Sequence, residues 1–498
     1  MEKKIVLFRL VCCALILAIV AAAAVSCARD EGGTADITDD GGGAYTPAVA
    51  DDTEDVGVRF QFPDDADFGG QTMRLLTQDR SDWAWSEMTT EEQTGDPIND
   101  AIFRSIARVE EGLNIIITEN HASDSAGLAR RTIAANTDDF DVIFTDSSQA
   151  GIIASQGMYL NLHNVPGLDL ENPWWNQNAN QSAELLGRLF FTTSDANLVT
   201  NDAIWVVYFN QVMLQDHGMA CPYEMVRNGT WTIDVFYEMA RAATRDMDGS
   251  GIWTADDQWG ISTHTLGFLA FFICQGQQMI RLDEFGEPYV VAPDARFVSA
   301  FQKAARLMDQ QNGLFLYAQS NFPGRNPDID HASKTFMRNM SLFCTEVLAW
   351  ARAFREMTAD FGLLPHPKYD VHQEQYLTLM IDTVPAFGIP VTVQDPERVG
   401  IFMEALTAIA HEEIMPAYYD VSLHGKFTRD EESMEMLDII RDGRVFDLAI
   451  LYNWGGYHSA LQADGVSANP NPVVVYERMA DRARVAIERT MDMFRELD

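Results

Sequence analysis

The chain has 498 residues, 47% of them hydrophobic, and 35 Lys and Arg against 74 Asp and Glu give it a net charge of −39. That length exceeds one compact core and supports two domains. The charge argues against nucleic acid, whose phosphates need Lys and Arg. It also disfavours anionic ligands unless a basic pocket is assembled locally, so neutral solutes and cations fit better.

Residues 1–26 read as a processing segment. Lys3, Lys4 and Arg9 precede an apolar run, Leu10 to Ala24, too short to favour a spanning helix. The run ends in Ala24-Val25-Ser26-Cys27, which resembles a bacterial lipoprotein signal, with Ala24 where that pattern prefers Leu. The resemblance implies a diacylglyceryl chain on Cys27 and anchoring at the extracellular face of the cell membrane; a secretory signal cleaved elsewhere is the alternative. Residues 27–59 hold Gly41-Gly42-Gly43 and the acidic Asp51-Asp52-Thr53-Glu54-Asp55, which suits a tether without a core. Cys221, Cys274 and Cys344 are too scattered for a disulfide framework or a metal site and read as buried small residues.

The body opens with a strand at Met73–Leu76 and a polar loop carrying Trp83 and Trp85. A helix beginning at Asp96-Pro97 places Ile98, Ile102, Ile106 and Val109 on one face. A strand at Leu113–Ile117 and a helix at Leu128–Ala135 lead to the stretch around which the lobe is organised. There a buried strand at Val142-Ile143-Phe144 is followed by the polar turn Thr145-Asp146-Ser147-Ser148 and a short helix. This βαβαβ order predicts a parallel, doubly wound lobe with ligands at the carboxyl ends of its strands. Further strands are expected at Leu189–Phe191, Ile204–Phe209, Met340–Phe343 and Asp360–Leu364. Helices should start at Thr232, Asp294, Thr345-Glu346 and Asp395-Pro396, with another over Ser433–Arg441.

Taken together, FDVIF, ASQGMYLNL, NPWWN, PYEMVRNGTWTID and DFGLLPHPKYD, in this order behind Cys27, resemble the extracellular solute-binding proteins of bacterial sugar-type ABC importers. The resemblance implies an α/β, two-lobed periplasmic-binding-protein-like fold (type II) with a hinge and an interlobe ligand cleft. Lobe 1 would be 60–197 plus 360–412, and lobe 2 198–359 plus 413–498. It further implies a monomer that captures a sugar or oligosaccharide and delivers it to the ABC permease transmembrane subunits.

Within that frame Trp83 and Trp85 can cover the C–H face of a sugar ring; packing between loops is their other use. Asp146 and Ser147 can accept from or donate to hydroxyls, or cap the helix. Thr345 and Glu346 would hold the matching place in lobe 2, Asn201 and Asp202 would face the cleft from the hinge, and Trp454 could close the site. Trp231, at a helix start, reads as core.

Asp246 to Asp257 follows the EF-type calcium loop: Asp246, Asp248 and Ser250 at positions one, three and five, and Gly251 at six. The Ile252 carbonyl, Thr254 and Asp257 complete it, with Trp253 anchoring the loop. A structural calcium is expected there, an acidic surface turn being the alternative. No HExxH, GxSxG, P-loop or GxGxxG pattern occurs. A binding protein is therefore expected rather than an enzyme; a secreted carbohydrate-active enzyme and a surface adhesin are the alternatives.

Overall fold

The computed structural model describes residues 59–64, 66–80, 83–254, 256–309, 314–316, 327–419 and 432–496. Cys27 and the expected signal segment, with nearly all of the expected tether, lie outside them. In chain order the strands are β1 (Gln71–Gln78), β2 (Ile115–Ala122), β3 (Val142–Asp146), β4 (Trp205–Asn210), β5 (Trp259–Ser262) and β6 (Ile280–Leu282). They continue with β7 (Pro288–Val290), β8 (Phe315–Leu316), β9 (Ser341–Val347), β10 (Phe361–Leu364), β11 (Thr378–Leu379), β12 (Pro385–Gly388) and β13 (Arg444–Val445).

The first sheet runs β12-β3-β1-β2. Its β1, β2 and β3 are parallel, and β12 closes one side antiparallel. The predicted helix is Pro97–Leu113, started by Asp96, whose carboxylate accepts from Ile98 and Asn99, and ended by Asn114 in the left-handed region. Its buried face includes Ile98, Ile102, Ile106 and Val109. Strand β2 is at the edge, so Ile115 and Ile117 are buried while Ile116 faces outwards.

The second sheet runs β10-β4-β9-β5-β8, with β5, β8 and β9 parallel and β4 antiparallel between β9 and β10. Here the lobe boundary expected at residue 360 shifts. Phe361–Leu364 pairs with β4, so the chain returns to the first sheet only between Leu364 and Pro385. Helix Pro396–Ile409 and the turns continuing it to Tyr419 pack on helix Pro97–Leu113, carrying the first lobe past residue 412.

The segment between the lobes is pinned at both ends. Thr192 exchanges backbone hydrogen bonds with Phe387 of β12, and Ile204 accepts from Leu348 beyond β9. Leu189–Phe191, expected as a strand, is buried irregular chain. The Trp pair of NPWWN has a structural job. Both indole N–H groups donate to Glu404, at 2.9 and 3.1 Å, and Asn172 and the Asp169 amide donate to it as well. That cluster staples a first-lobe loop to helix Pro396–Ile409.

The C-terminal helix Pro472–Glu496 buries Val475, Ala483, Ile487 and Phe494. Gly455 has φ +64°, and a Cβ there would stand 2.9 Å from the Ala483 nitrogen, so glycine lets the Asn453–Gly456 loop lie against this helix. Among the described residues no helix is long and apolar enough to cross a membrane. Cys274 and Cys344 are buried as expected, but Cys221 is exposed.

Candidate functional site

Parallel strands bring their carboxyl ends to one edge. In the first sheet that edge carries the loop after β1, the β3–helix turn, and the chain entering β12, because Pro385 pairs with Asp146. In the second it carries the chain entering β4 and the turn leaving β9, because Trp205 pairs with Val347. An isolated bridge between Ile204 and Met380 joins the two edges. The place where the two edges meet is the candidate site.

Trp85 is the residue through which the first edge reaches the second. It adopts φ 53° and stands edge-on to Tyr418, ring centroids 6.3 Å apart. Its ring also lies over the Arg352 guanidinium, 4.9 Å from the centroid. Arg352 follows β9 and holds the fully buried Asp202 with two hydrogen bonds of 3.0 and 2.7 Å. The Tyr418 hydroxyl donates to the same carboxylate at 2.7 Å. Burial pushes the Asp202 carboxyl up against the pull of Arg352 and Tyr418. Burial likewise opposes the Arg352 charge, but the bonds to Asp202 outweigh it and raise that guanidinium above its usual value. Trp83 is half-buried and packs on the hydrophobic core.

Asp146 ends β3 and makes no side-chain cap for the helix that follows. It pairs with Arg80, which also donates to the Thr383 carbonyl at 2.6 Å. Burial pushes the Asp146 carboxyl up, Arg80 pulls it down, and neighbouring Asp382 pushes it up again, for a net rise. Ser147 is buried and its hydroxyl donates to the carbonyls of Ile381 and Asp382, so it ties the helix after β3 to the chain entering β12.

Other expected contacts sit elsewhere. Strand β9 runs on through Val347, where the sequence suggested a turn, because Thr345 and Glu346 pair opposite Val207 and Val206. Thr345 bonds Thr263 inside the lobe. Glu346 is buried, its Oε1 has no hydrogen-bond partner, and burial pushes it up to about 8. Both therefore belong to the second-lobe interior. Asn201 is buried as well, contacting Met415 and accepting from Arg444 at 3.3 Å. Trp454 does not face the cleft. It stacks on Tyr452 at 4.7 Å and donates to Thr490 of the C-terminal helix. Trp231 is core, as read, donating to the Pro365 carbonyl.

Sequence reasoning missed Arg80, Arg352, Tyr418 and Asp382. A signal existed for the two arginines: in a chain with 35 basic residues, each lies near a Trp, Arg80 in the polar loop before Trp83 and Arg352 in the short helix after Trp350. Tyr418 reaches the site from a distant helix, which no local pattern shows.

In the acidic loop Asp246, Asp248 and Asp257 each offer a carboxylate oxygen, all within 4.8 Å of one another. Gly251 has φ +74°, as the sharp turn at position six demands. Asp246 accepts from the Gly249 and Gly251 amides, and Asp257 from the Met247 and Thr254 amides. Ser250 bonds the Ile252 carbonyl, and Trp253 packs on Trp259 at 5.5 Å. An all-oxygen donor set of this kind fits a hard divalent cation such as calcium.

Two lobes, a segment crossing between them at 192–205 and strand ends that meet between the lobes resemble the two-lobed fold of solved ABC sugar-binding proteins. The solved structures agree. A sugar transporter protein from Rhizobium etli, in an open conformation, matches 84% of this chain and 99% of its own with TM-score 0.57 and 12% identity. The cyclic alpha-maltosyl-1,6-maltose binding protein from Arthrobacter globiformis matches 84% and 100%, with TM-score 0.57 and 10% identity. An ABC substrate-binding protein from Listeria monocytogenes in complex with cycloalternan matches 84% and 99%, with TM-score 0.52 and 11% identity. No protein-family model and no curated protein matches the sequence.

Proposed function

We propose that this protein is the extracellular solute-binding component of an ABC importer. It takes a neutral hydroxylated solute, a sugar or oligosaccharide, between its lobes and hands it to the permease transmembrane subunits. The observation that carries this reading is the contact of Trp85 from one lobe edge with the Asp202-bonded Arg352 from the other. An indole face suits sugar C–H groups, and the paired charges on both edges offer donors and acceptors to hydroxyls. A ligand touching both edges favours the closed arrangement, so binding and closure are coupled. The similarity of fold to proteins that hold cyclic and linear glucans supports the ligand class. That these structural neighbours are binding proteins supports binding without turnover.

Small-angle scattering with and without a saturating saccharide tests this. A smaller radius of gyration with ligand is the expected result; an unchanged radius on calorimetrically proven binding would contradict closure.

The same reading includes a lipid on Cys27, holding the protein at the outer face of the membrane as a monomer. Cys27→Ala should release it into the medium, and retention after alkaline washing would contradict the anchor. It also includes one structural calcium held by Asp246, Asp248, Ser250, the Ile252 carbonyl, Thr254 and Asp257. The ion would order this loop and take no part in ligand capture.

A further inference from the structure

A cavity of about 350 Å3 lies where separate stretches of chain meet. First-lobe residues up to Asn178 form one side, Asp195 of the crossing segment another, and Arg441 and Arg444 a third. Its size falls within the range of small-molecule sites. None of its lining residues belongs to the Trp85–Arg352 contact.

In a chain of net charge −39, two arginines and a histidine converge here beside the carboxylates of Asp195 and Asp442. Arg444 is buried, fixed by its Nε to the Arg441 carbonyl at 3.0 Å and by Nη1 to Asn201 at 3.3 Å. Arg441 is fixed differently, its guanidinium lying 4.3 Å from the Tyr419 ring centroid. His411 occupies a π-helical turn, Ala410–Ile414, a distortion that recurs at functional sites. Its Nδ1 lies 3.0 Å from Asp195. Burial pushes the Asp195 carboxyl up, but the His411 hydrogen bond and the charges of Arg444 and Arg441 outweigh it and hold it below its usual value. That acid is thus already committed to its neighbours.

What remains unfilled is donor capacity. Arg441 Nε and Asn176 Nδ2, on two residues that line the cavity, are donors only, both atoms are buried, and neither has a hydrogen-bond partner. Buried donors left in this state call for acceptor oxygens. A guanidinium held over an aromatic ring presents such oxygens with a planar fork of donors. We propose that this pocket binds a small oxyanion-bearing solute, a carboxylate or a phosphate, at a site that shares no residue with the Trp85–Arg352 contact.

Calorimetric titration of the whole protein in a chloride buffer, with sodium malonate and with sodium phosphate as separate probes, tests the proposal. At least one probe should bind saturably with a stoichiometry of about one, and the probe that binds tells carboxylate from phosphate. Arg441→Gln should weaken that binding at least tenfold, and His411→Gln serves as a second variant should the first fail to fold. Both are read beside their melting curves. Heats no larger than those of a sodium chloride control for both probes would overturn the site. So would undiminished binding to a folded Arg441→Gln or His411→Gln protein. Saccharide binding in the cleft is measured in a separate titration, so neither result depends on the other.

Discussion

The Arg352 guanidinium carbon lies 4.9 Å from the centroid of the Trp85 ring while its terminal nitrogens bond both oxygens of Asp202. One side chain thus joins an aromatic ring on the first-lobe edge to a carboxylate buried at the hinge. Trp85→Ala should remove the ring without leaving a charge unpaired. A saccharide that stacks there should lose about 1–2 kcal/mol, roughly tenfold in affinity, by isothermal titration. The melting temperature should move little, because Trp85 is only half-buried.

Asp202 presents the opposite case. It is fully buried, and Asp202→Asn would remove the carboxylate charge that Arg352 holds. Removing one partner of a buried pair costs about 3–5 kcal/mol. Urea unfolding should show a lower midpoint with an unchanged slope.

Glu346 makes stability depend on pH. Burial raises its folded value to about 8, above its unfolded value, so the folded state holds a proton that the unfolded state has released between those limits. The contribution is therefore present at low pH and lost as pH rises from about 4.5 towards 8, on the order of 1 kcal/mol per pH unit. Glu346→Gln should flatten that part of the profile and raise the melting temperature at pH 8 relative to the parent protein. A variant whose profile parallels the parent's would contradict the assignment.

The acidic loop predicts a dependence on calcium. Chelator should lower the melting temperature of the parent protein, and Asp246→Ala should remove that sensitivity. Equal curves for the parent with calcium and with chelator would leave the loop an acidic turn stabilised by its own amides.

Much of this was legible because local rules act locally. The Asp96 cap, the Ile98–Val109 stripe, the β3 strand and the Asp395-Pro396 helix start follow from capping chemistry and periodicity. Thr345 and Glu346 misled because polar residues in a buried strand look like the start of a turn until their partners across the sheet are known. Trp454 misled similarly: glycines beside it suggested an open loop, whereas they bring the backbone against Ala483. The Asp202–Arg352 pair spans 150 positions, and Tyr418 reaches Asp202 across 216, distances no local motif records. The cavity at Arg441 was illegible for the same reason, since no basic run marks it.

Isothermal titration of a panel of linear and cyclic glucans against the parent protein and a Trp83→Ala, Trp85→Ala double variant tests the central claim most directly. The account predicts saturable one-to-one binding of at least one saccharide, no hydrolysis product, and at least tenfold weaker binding by the folded double variant. Undiminished saccharide binding by that variant, or none by the parent protein, would contradict it.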